Sequence, residues 1–113
     1  MVEKEQDGFD RILAKMPSCT LDADGRLSQK ERYRTLAASV IRVRRRTDVV
    51  LIDFAETVDG RMLEKVIAVE RECCPWLRFD LDRVTRRLSV RTTDPDMRPA
   101  LDALGDAFVW TAR

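Results

Sequence analysis

The 113-residue chain contains no histidine, only three cysteines, and no apolar run near the ~20 residues needed to span a bilayer. The missing histidine excludes Ser-His and Cys-His catalysis, and every metal site that needs an imidazole ligand. The 21 basic and 20 acidic side chains nearly cancel, which removes the bulk electrostatic argument for a nucleic-acid or anionic-membrane partner. The sequence therefore predicts no nucleic-acid partner and no membrane partner.

The expected cellular compartment and the odd number of cysteines limit the roles that the three cysteines can have. The first seven residues are polar and acidic, unlike a secretory signal, so we expect a cytoplasmic protein. In that reducing compartment, cysteines are more often metal ligands, redox groups or buried apolar residues than structural disulfides. Because three is an odd number, they cannot all pair within one chain.

The length fits one domain. Apolar residues at helical spacing predict a short docking helix within an N-terminal extension, residues 1–17, ahead of a single domain over residues 18–113. At the start of this domain, the turn-like sequence of residues 22–25 precedes a Ser-x-x-Glu capping box. We therefore predict that the first helix of the domain begins at Ser28.

Two pairs of strand-like segments follow, and a helical segment comes after each pair. Ile41 and Val43 alternate with arginines, which predicts a half-buried strand with these two side chains on its inner side. A short connection then leads to a more apolar strand over residues 49–54, so the two strands should form an antiparallel hairpin. A second hairpin is predicted between Leu77 and Arg91. The order α-ββ-α-ββ-α predicts an α+β fold, with a four-stranded antiparallel sheet and helices packed on one face.

The helical segment from about Val58 to Cys74 contains the most informative stretch. Cys73 and Cys74 end its apolar face immediately before a proline. Glu70 falls near the middle of the same face, three and four residues before the cysteines, so all three should share one surface. A carboxylate buried there must find a partner or take up a proton, because burying it charged and alone is very costly.

One interpretation is a site for a thiophilic ion. Thiolates select soft ions, so Cys73 and Cys74 are candidate ligands for Cu(I), Zn(II), Hg(II) or As(III). Adjacent helical residues point about 100° apart, but Pro75 disfavours helical geometry at Cys74 and so relaxes this restriction. Cys19 is the candidate third thiolate, and Glu70 a fourth ligand or a neighbour of the ligands. Because a helix C-terminus does not favour thiolates, a bound cation would have to stabilise them.

Two other interpretations stay open. Two thiols with a protonated Glu70 as general acid could form an enzyme, either a redox protein or one similar to organomercurial lyases. Its catalytic residues would be Cys73, Cys74 and Glu70, and whether the chain is an enzyme is undecided at this point. Alternatively, the chain is an interaction module whose cysteines are small apolar residues of the core.

The Cys19-Thr20-Leu21 and Glu70-x-x-Cys73-Cys74-Pro75-Trp76-Leu77 sequences resemble motifs of a group of small uncharacterised bacterial proteins. Those proteins carry Cys-Thr-Leu and Glu-x-x-Cys-Cys-Pro-Phe-like motifs and often occur in heavy-metal resistance contexts. The resemblance covers residues 18–104, with Trp76 where phenylalanine is commoner and a longer N-terminal extension. It implies that Cys19 belongs with the cysteine pair and that the partner is a metal or metalloid ion. No other cofactor is implied, and a homodimer stays open.

Overall fold

The computed structural model describes residues 23–111, without the side chains of residues 23, 26 and 109–111. The predicted docking helix of residues 1–17 and the candidate ligand Cys19 lie outside the described residues. The elements are helix α1 (Ala23–Ala37), strands β1 (Val40–Arg46) and β2 (Val49–Phe54), helix α2 (Gly60–Cys73), strands β3 (Arg78–Asp82) and β4 (Arg87–Arg91), a 3-10 turn (Pro95–Met97) and helix α3 (Arg98–Thr111). This order confirms the predicted α-ββ-α-ββ-α arrangement and the α+β class.

The four strands form one antiparallel sheet in the order β1-β2-β4-β3, so the two predicted hairpins join through their second strands. Alternate residues of a strand share one face, and the inner face of the central strands is buried, from Val50 and Ile52 on β2 to Leu88 and Val90 on β4. Helix α3 packs on β1 and β2, α2 packs on β3, and α1 contacts both of these helices. No helix in residues 23–111 is long and apolar enough to cross a membrane.

Helix α1 already includes Ala23, the first described residue, so the predicted start at Ser28 is wrong. Asp24 and Gly25, which the sequence assigned to a turn, lie inside the helix. The carboxylate of Asp24 lies in the first turn, where the helix dipole favours a negative charge. Farther along, Gln29 and Tyr33 are fully buried against the rest of the domain. The favourable charge of Asp24 at the N-terminal end therefore supports helix ahead of the capping box at Ser28, which is exposed.

A β-bulge changes the side on which one predicted core residue lies. Val40 is opposite Phe54, whereas Arg42 is opposite Asp53, so Ile41 is the extra residue of β1. Its side chain is 68% exposed, and its predicted inward orientation is wrong. One additional residue in a strand moves side chains to the opposite face. Val40 and Val43 pack against the core instead.

The outer face of the sheet is charged and centres on Asp53 of β2. Its Oδ1 accepts a hydrogen bond of 2.7 Å from Arg87 Nε, and its Oδ2 lies 3.3 Å from Arg42 Nη2 and 3.6 Å from Arg44 Nη2. The hydrogen bond from Arg87 is the main reason why the pKa of Asp53 is lowered, and Arg42 adds to it. Arg45 points to the opposite face, where it pairs with Asp102 of α3 at 2.7 Å.

Candidate thiol–carboxylate site

The C-terminal end of α2 separates the two cysteines. Cys73 is the last helical residue, and the backbone N–H of Cys74 still donates to Glu70 O at 2.7 Å. The backbone of Cys74 then leaves the helix, with φ −128° and ψ 67°. A turn closed by the N–H of Leu77 and the carbonyl of Cys74 follows at 3.0 Å, and Pro75 occupies its second position, where the fixed φ of proline fits. Cys74 thus departs from helical geometry before Pro75, as predicted.

Glu70 and both cysteines are buried, as their positions on the apolar face predict. The exposed fraction is 2% for Glu70, 3% for Cys73 and 0% for Cys74. Helix α2 presents this face because Leu63, Val66 and Ile67 precede them at helical spacing and pack into the same core. The carboxyl group therefore lies in apolar surroundings, next to the end of a helix.

Three side chains hydrogen-bond to the carboxyl group of Glu70. Gln29 Nε2 and Tyr33 Oη donate to Oε1 at 3.0 Å and 2.9 Å, and the thiol of Cys74 donates to Oε2 over 3.9 Å. Burial raises the pKa of Glu70 because it disfavours the charged form, and these hydrogen bonds oppose the rise. The site therefore combines a thiol with a carboxyl group that binds its proton more tightly than usual.

Gln29 is held in one orientation by contacts at both ends of its amide. Its Nε2 also donates to Val66 O at 3.3 Å, while its Oε1 accepts from Arg32 Nη1 at 2.9 Å. Because the oxygen faces a guanidinium and the nitrogen faces two acceptors, the amide cannot reverse without losing these bonds. Gln29 and Tyr33 are one turn apart on α1, so a single helix face supplies both donors to Glu70.

Neither the role of Gln29 nor the contact between Tyr33 and Glu70 was predicted from the sequence. A signal was present, because Gln29 lies four residues before Tyr33 and therefore continues the apolar stripe of α1. A polar side chain on that stripe, and a glutamate on the stripe of the next helix, indicate two buried polar groups that need each other. The sequence spacing alone does not show that the two helices meet at these residues.

Within residues 23–111, no group of three or more Cys, Asp or Glu side chains is arranged to hold a metal ion. The described structure brings Cys74 to Glu70 and places Cys73 at the same helix end. Cys19, the predicted third thiolate, lies outside the described residues. Comparisons with protein-family models, with curated proteins and with solved structures find no match to this chain. The resemblance to the small bacterial proteins with Glu-x-x-Cys-Cys-Pro-Phe-like motifs therefore stays a prediction.

Proposed function

We propose that the protein binds a thiophilic metal or metalloid ion through Cys19, Cys73 and Cys74, with Glu70 beside the ligands. The observation that supports this most is the 3.9 Å contact between Cys74 Sγ and Glu70 Oε2, both of them buried. Hg(II), As(III), Cu(I) and Zn(II) are soft enough to prefer sulfur ligands. As part of the same proposal, the protein acts in the cytoplasm, where thiols stay reduced, and contributes to heavy-metal resistance.

The surroundings of the two cysteines favour a soft cation over other uses of thiolates. A thiolate at a helix C-terminus meets the negative end of the helix dipole, and burial adds a desolvation cost. A bound cation compensates both costs, because it takes the place of the thiol protons. The thiols of an ion-free protein should accordingly be protonated and unreactive, and ion binding should release protons.

Glu70 suits a supporting role better than direct coordination. Its Oε1 already accepts hydrogen bonds from Gln29 and Tyr33, and only Oε2 is directed to Cys74. Groups that hydrogen-bond to metal ligands fix the orientation of those ligands and tune affinity. In this proposal, Glu70 holds Cys74 in position, and the three sulfur atoms supply the bonds to the ion.

Titration of the reduced, chelator-treated protein with each of the four ions tests the proposal. We expect one ion per chain, read from ligand-to-metal charge-transfer absorption and calorimetry, and weaker binding after each single Cys→Ser replacement. Glu70→Gln should lower affinity by about 10-fold to 100-fold. Glu72→Gln is the matched control, because Glu72 lies on the exposed side of the same helix turn.

The same titration can contradict the proposal in two ways. Binding that survives replacement of all three cysteines by serine would show that the ion is held elsewhere. If Cys19→Ser alone binds as tightly as the wild type, the site is limited to Cys73 and Cys74.

A dithiol–carboxylate enzyme is the second candidate, and the raised pKa of Glu70 next to Cys74 supports it. With an organometallic substrate, the sulfur of Cys74 would bond to the metal while the metal–carbon bond breaks. The leaving carbon would take a proton from Glu70, which acts as general acid, and Glu70 would receive the thiol proton of Cys74 in its place. Turnover distinguishes the two functions, because a binding protein saturates at one equivalent and an enzyme continues.

An interaction module with core cysteines is the third candidate, and the burial of Cys73 and Cys74 supports it. In that case, alanine at all three cysteine positions should lower only the free energy of unfolding. Ion affinity measured on these alanine variants separates this outcome from the first proposal.

A further inference from the structure

A partly enclosed cavity of about 190 Å³ lies at the opposite end of α2 from the thiol–carboxylate site. Val58, Leu63 and Leu81 supply its apolar surface. Leu63 is buried, whereas Val58 and Leu81 are half-buried, as expected for a cavity that reaches from the core to the surface. Leu63 precedes Glu70 by seven residues on α2, about 10 Å along the helix axis, and none of the cavity-lining residues belongs to the thiol–carboxylate site.

The rim of the cavity carries a net positive charge. Glu64, Arg83 and Arg86 line it, and Arg83 forms an ion pair with Glu64. Arg86 has no carboxylate partner among residues 23–111. Its Nε and Nη1 make only long contacts of 3.4 Å with the carbonyl oxygens of Phe54 and Val84. One guanidinium at the mouth is therefore available for an anion.

The backbone of Arg86 adds a second unusual feature. Its φ of 56° lies in the left-handed region, which is unfavourable for a non-glycine residue. The carbonyl of Arg86 accepts a 3.0 Å hydrogen bond from the N–H of Phe54, and this bond helps to hold the conformation. The turn thereby places Arg86 among the residues that line the cavity.

We propose that this cavity binds a small monocyclic carboxylate, an anion of the benzoate class. An apolar cavity of roughly 150 Å³ admits benzene, so 190 Å³ accommodates one ring with a small substituent. The ring lies against Val58, Leu63 and Leu81, and the carboxylate pairs with Arg86, whose planar guanidinium can bind both oxygens. A cation would be repelled by the rim, and a neutral ring would leave the charge of Arg86 unused.

Titration of the full-length, ion-free protein with benzoate tests this proposal, followed by amide chemical shifts and calorimetry. We expect saturable shifts around Leu63 and Leu81 with a dissociation constant of about 1 mM. Benzyl alcohol has the same ring without the charge, and it should bind at least about tenfold more weakly. Equal affinity for the two compounds would overturn the anionic class of the ligand.

Two variants locate the site. Gly60 lines the cavity, and a Cβ there meets no atom within 4 Å, so Gly60→Leu has room for its side chain at the cavity and should abolish benzoate binding without loss of stability. Arg86→Asn removes the charge while keeping a residue that tolerates the left-handed region, and it should weaken binding at least about tenfold. Arg91→Asn, at an exposed position of the sheet, is the control.

Three results would contradict the proposal. It is overturned if benzoate causes no saturable shifts, if Gly60→Leu binds benzoate as the wild type does, or if Arg91→Asn weakens binding as much as Arg86→Asn. None of these results bears on the cysteine site, which the metal titrations test separately.

Discussion

Cys74 and Glu70 are hydrogen-bonded twice, once between their side chains and once between their backbones. Sγ lies 3.9 Å from Oε2, and the Cys74 N–H donates to the Glu70 carbonyl at 2.7 Å. The last turn of α2 thereby fixes the thiol against a buried acid.

Glu70→Gln should change how stability depends on pH. Because burial raises the pKa of Glu70, the folded protein keeps a proton that the unfolded chain releases at lower pH. The contribution is fully present below the unfolded pKa and is lost as pH rises through the folded pKa. Wild-type free energy of unfolding should therefore fall over this window by at most about 1.4 kcal/mol per pH unit. Glu70→Gln, which mimics the protonated acid, should lack this fall and be the more stable protein at neutral pH.

Urea denaturation of the reduced, ion-free protein between acid and neutral pH measures this difference. Glu72→Gln provides the control, because Glu72 is exposed on the same helix and should leave the shape of the curve unchanged. Parallel curves for the wild type and Glu70→Gln would show that Glu70 titrates alike in both states.

Gln29 and Glu70 should be strongly coupled. Gln29→Met removes a donor from Glu70 and from the Val66 carbonyl, and we expect a loss of about 1 to 3 kcal/mol from unpaired buried groups. Glu70→Met removes one of the two acceptors of Gln29, leaving only the Val66 carbonyl, and should also destabilise. The double variant should cost less than the sum, with a coupling energy of about 0.5 to 3 kcal/mol. Additive losses in denaturant unfolding would contradict the coupling.

Asp53→Asn should destabilise the sheet at neutral pH by about 1 kcal/mol, because Asp53 pairs with arginines of both neighbouring strands. Its pKa is lowered in the folded state, mainly by the hydrogen bond from Arg87. The stabilisation is therefore present above the unfolded pKa and disappears as pH falls through the folded pKa. Thermal or urea unfolding at several pH values should show the two proteins converging in acid. Asp80→Asn, an exposed position on the same face, should remain within about 0.5 kcal/mol of the wild type.

The β-bulge predicts opposite results for two neighbouring apolar residues of β1. Ile41→Thr should change the free energy of unfolding by no more than about 0.5 kcal/mol, because the Ile41 side chain is exposed. Val43→Thr places a hydroxyl against the core and should cost about 1 to 2 kcal/mol. Equal costs, or a larger cost at Ile41, would indicate that the bulge is absent in solution.

The sequence predicted the elements of the described region well where a pattern of apolar residues extends over a whole segment. Residues 49–54 were predicted as a strand, and the structure has Val49–Phe54 as β2. Prediction from the sequence failed where a single residue determines the direction of a side chain or the start of a helix. The extra residue at Ile41 reverses a side-chain direction without disturbing the alternation of residue types. Likewise, the capping box at Ser28 predicted a helix start at that residue, but the helix extends farther toward the N-terminus, with Asp24 in its first turn.

The site divides in the same way. The burial of Glu70, Cys73 and Cys74 and the departure of Cys74 from the helix follow from spacing within one segment and from Pro75. The donors to Glu70 come from residues 41 and 37 positions earlier in the chain. A local sequence pattern cannot predict contacts over such sequence separations, because these contacts depend on how α1 packs against α2.

By itself, the sequence determined the order of helices and strands, the buried position of Glu70 and the helix end at the cysteines. These features depend on side-chain period and on proline geometry, which act over a few residues. Only the tertiary structure decided which groups satisfy the buried acid, which side Ile41 takes, and that α2, β3 and the β3–β4 turn enclose a cavity. Each of these depends on contacts between segments distant in the chain, and their free energy is gained only when the helices and the sheet pack together.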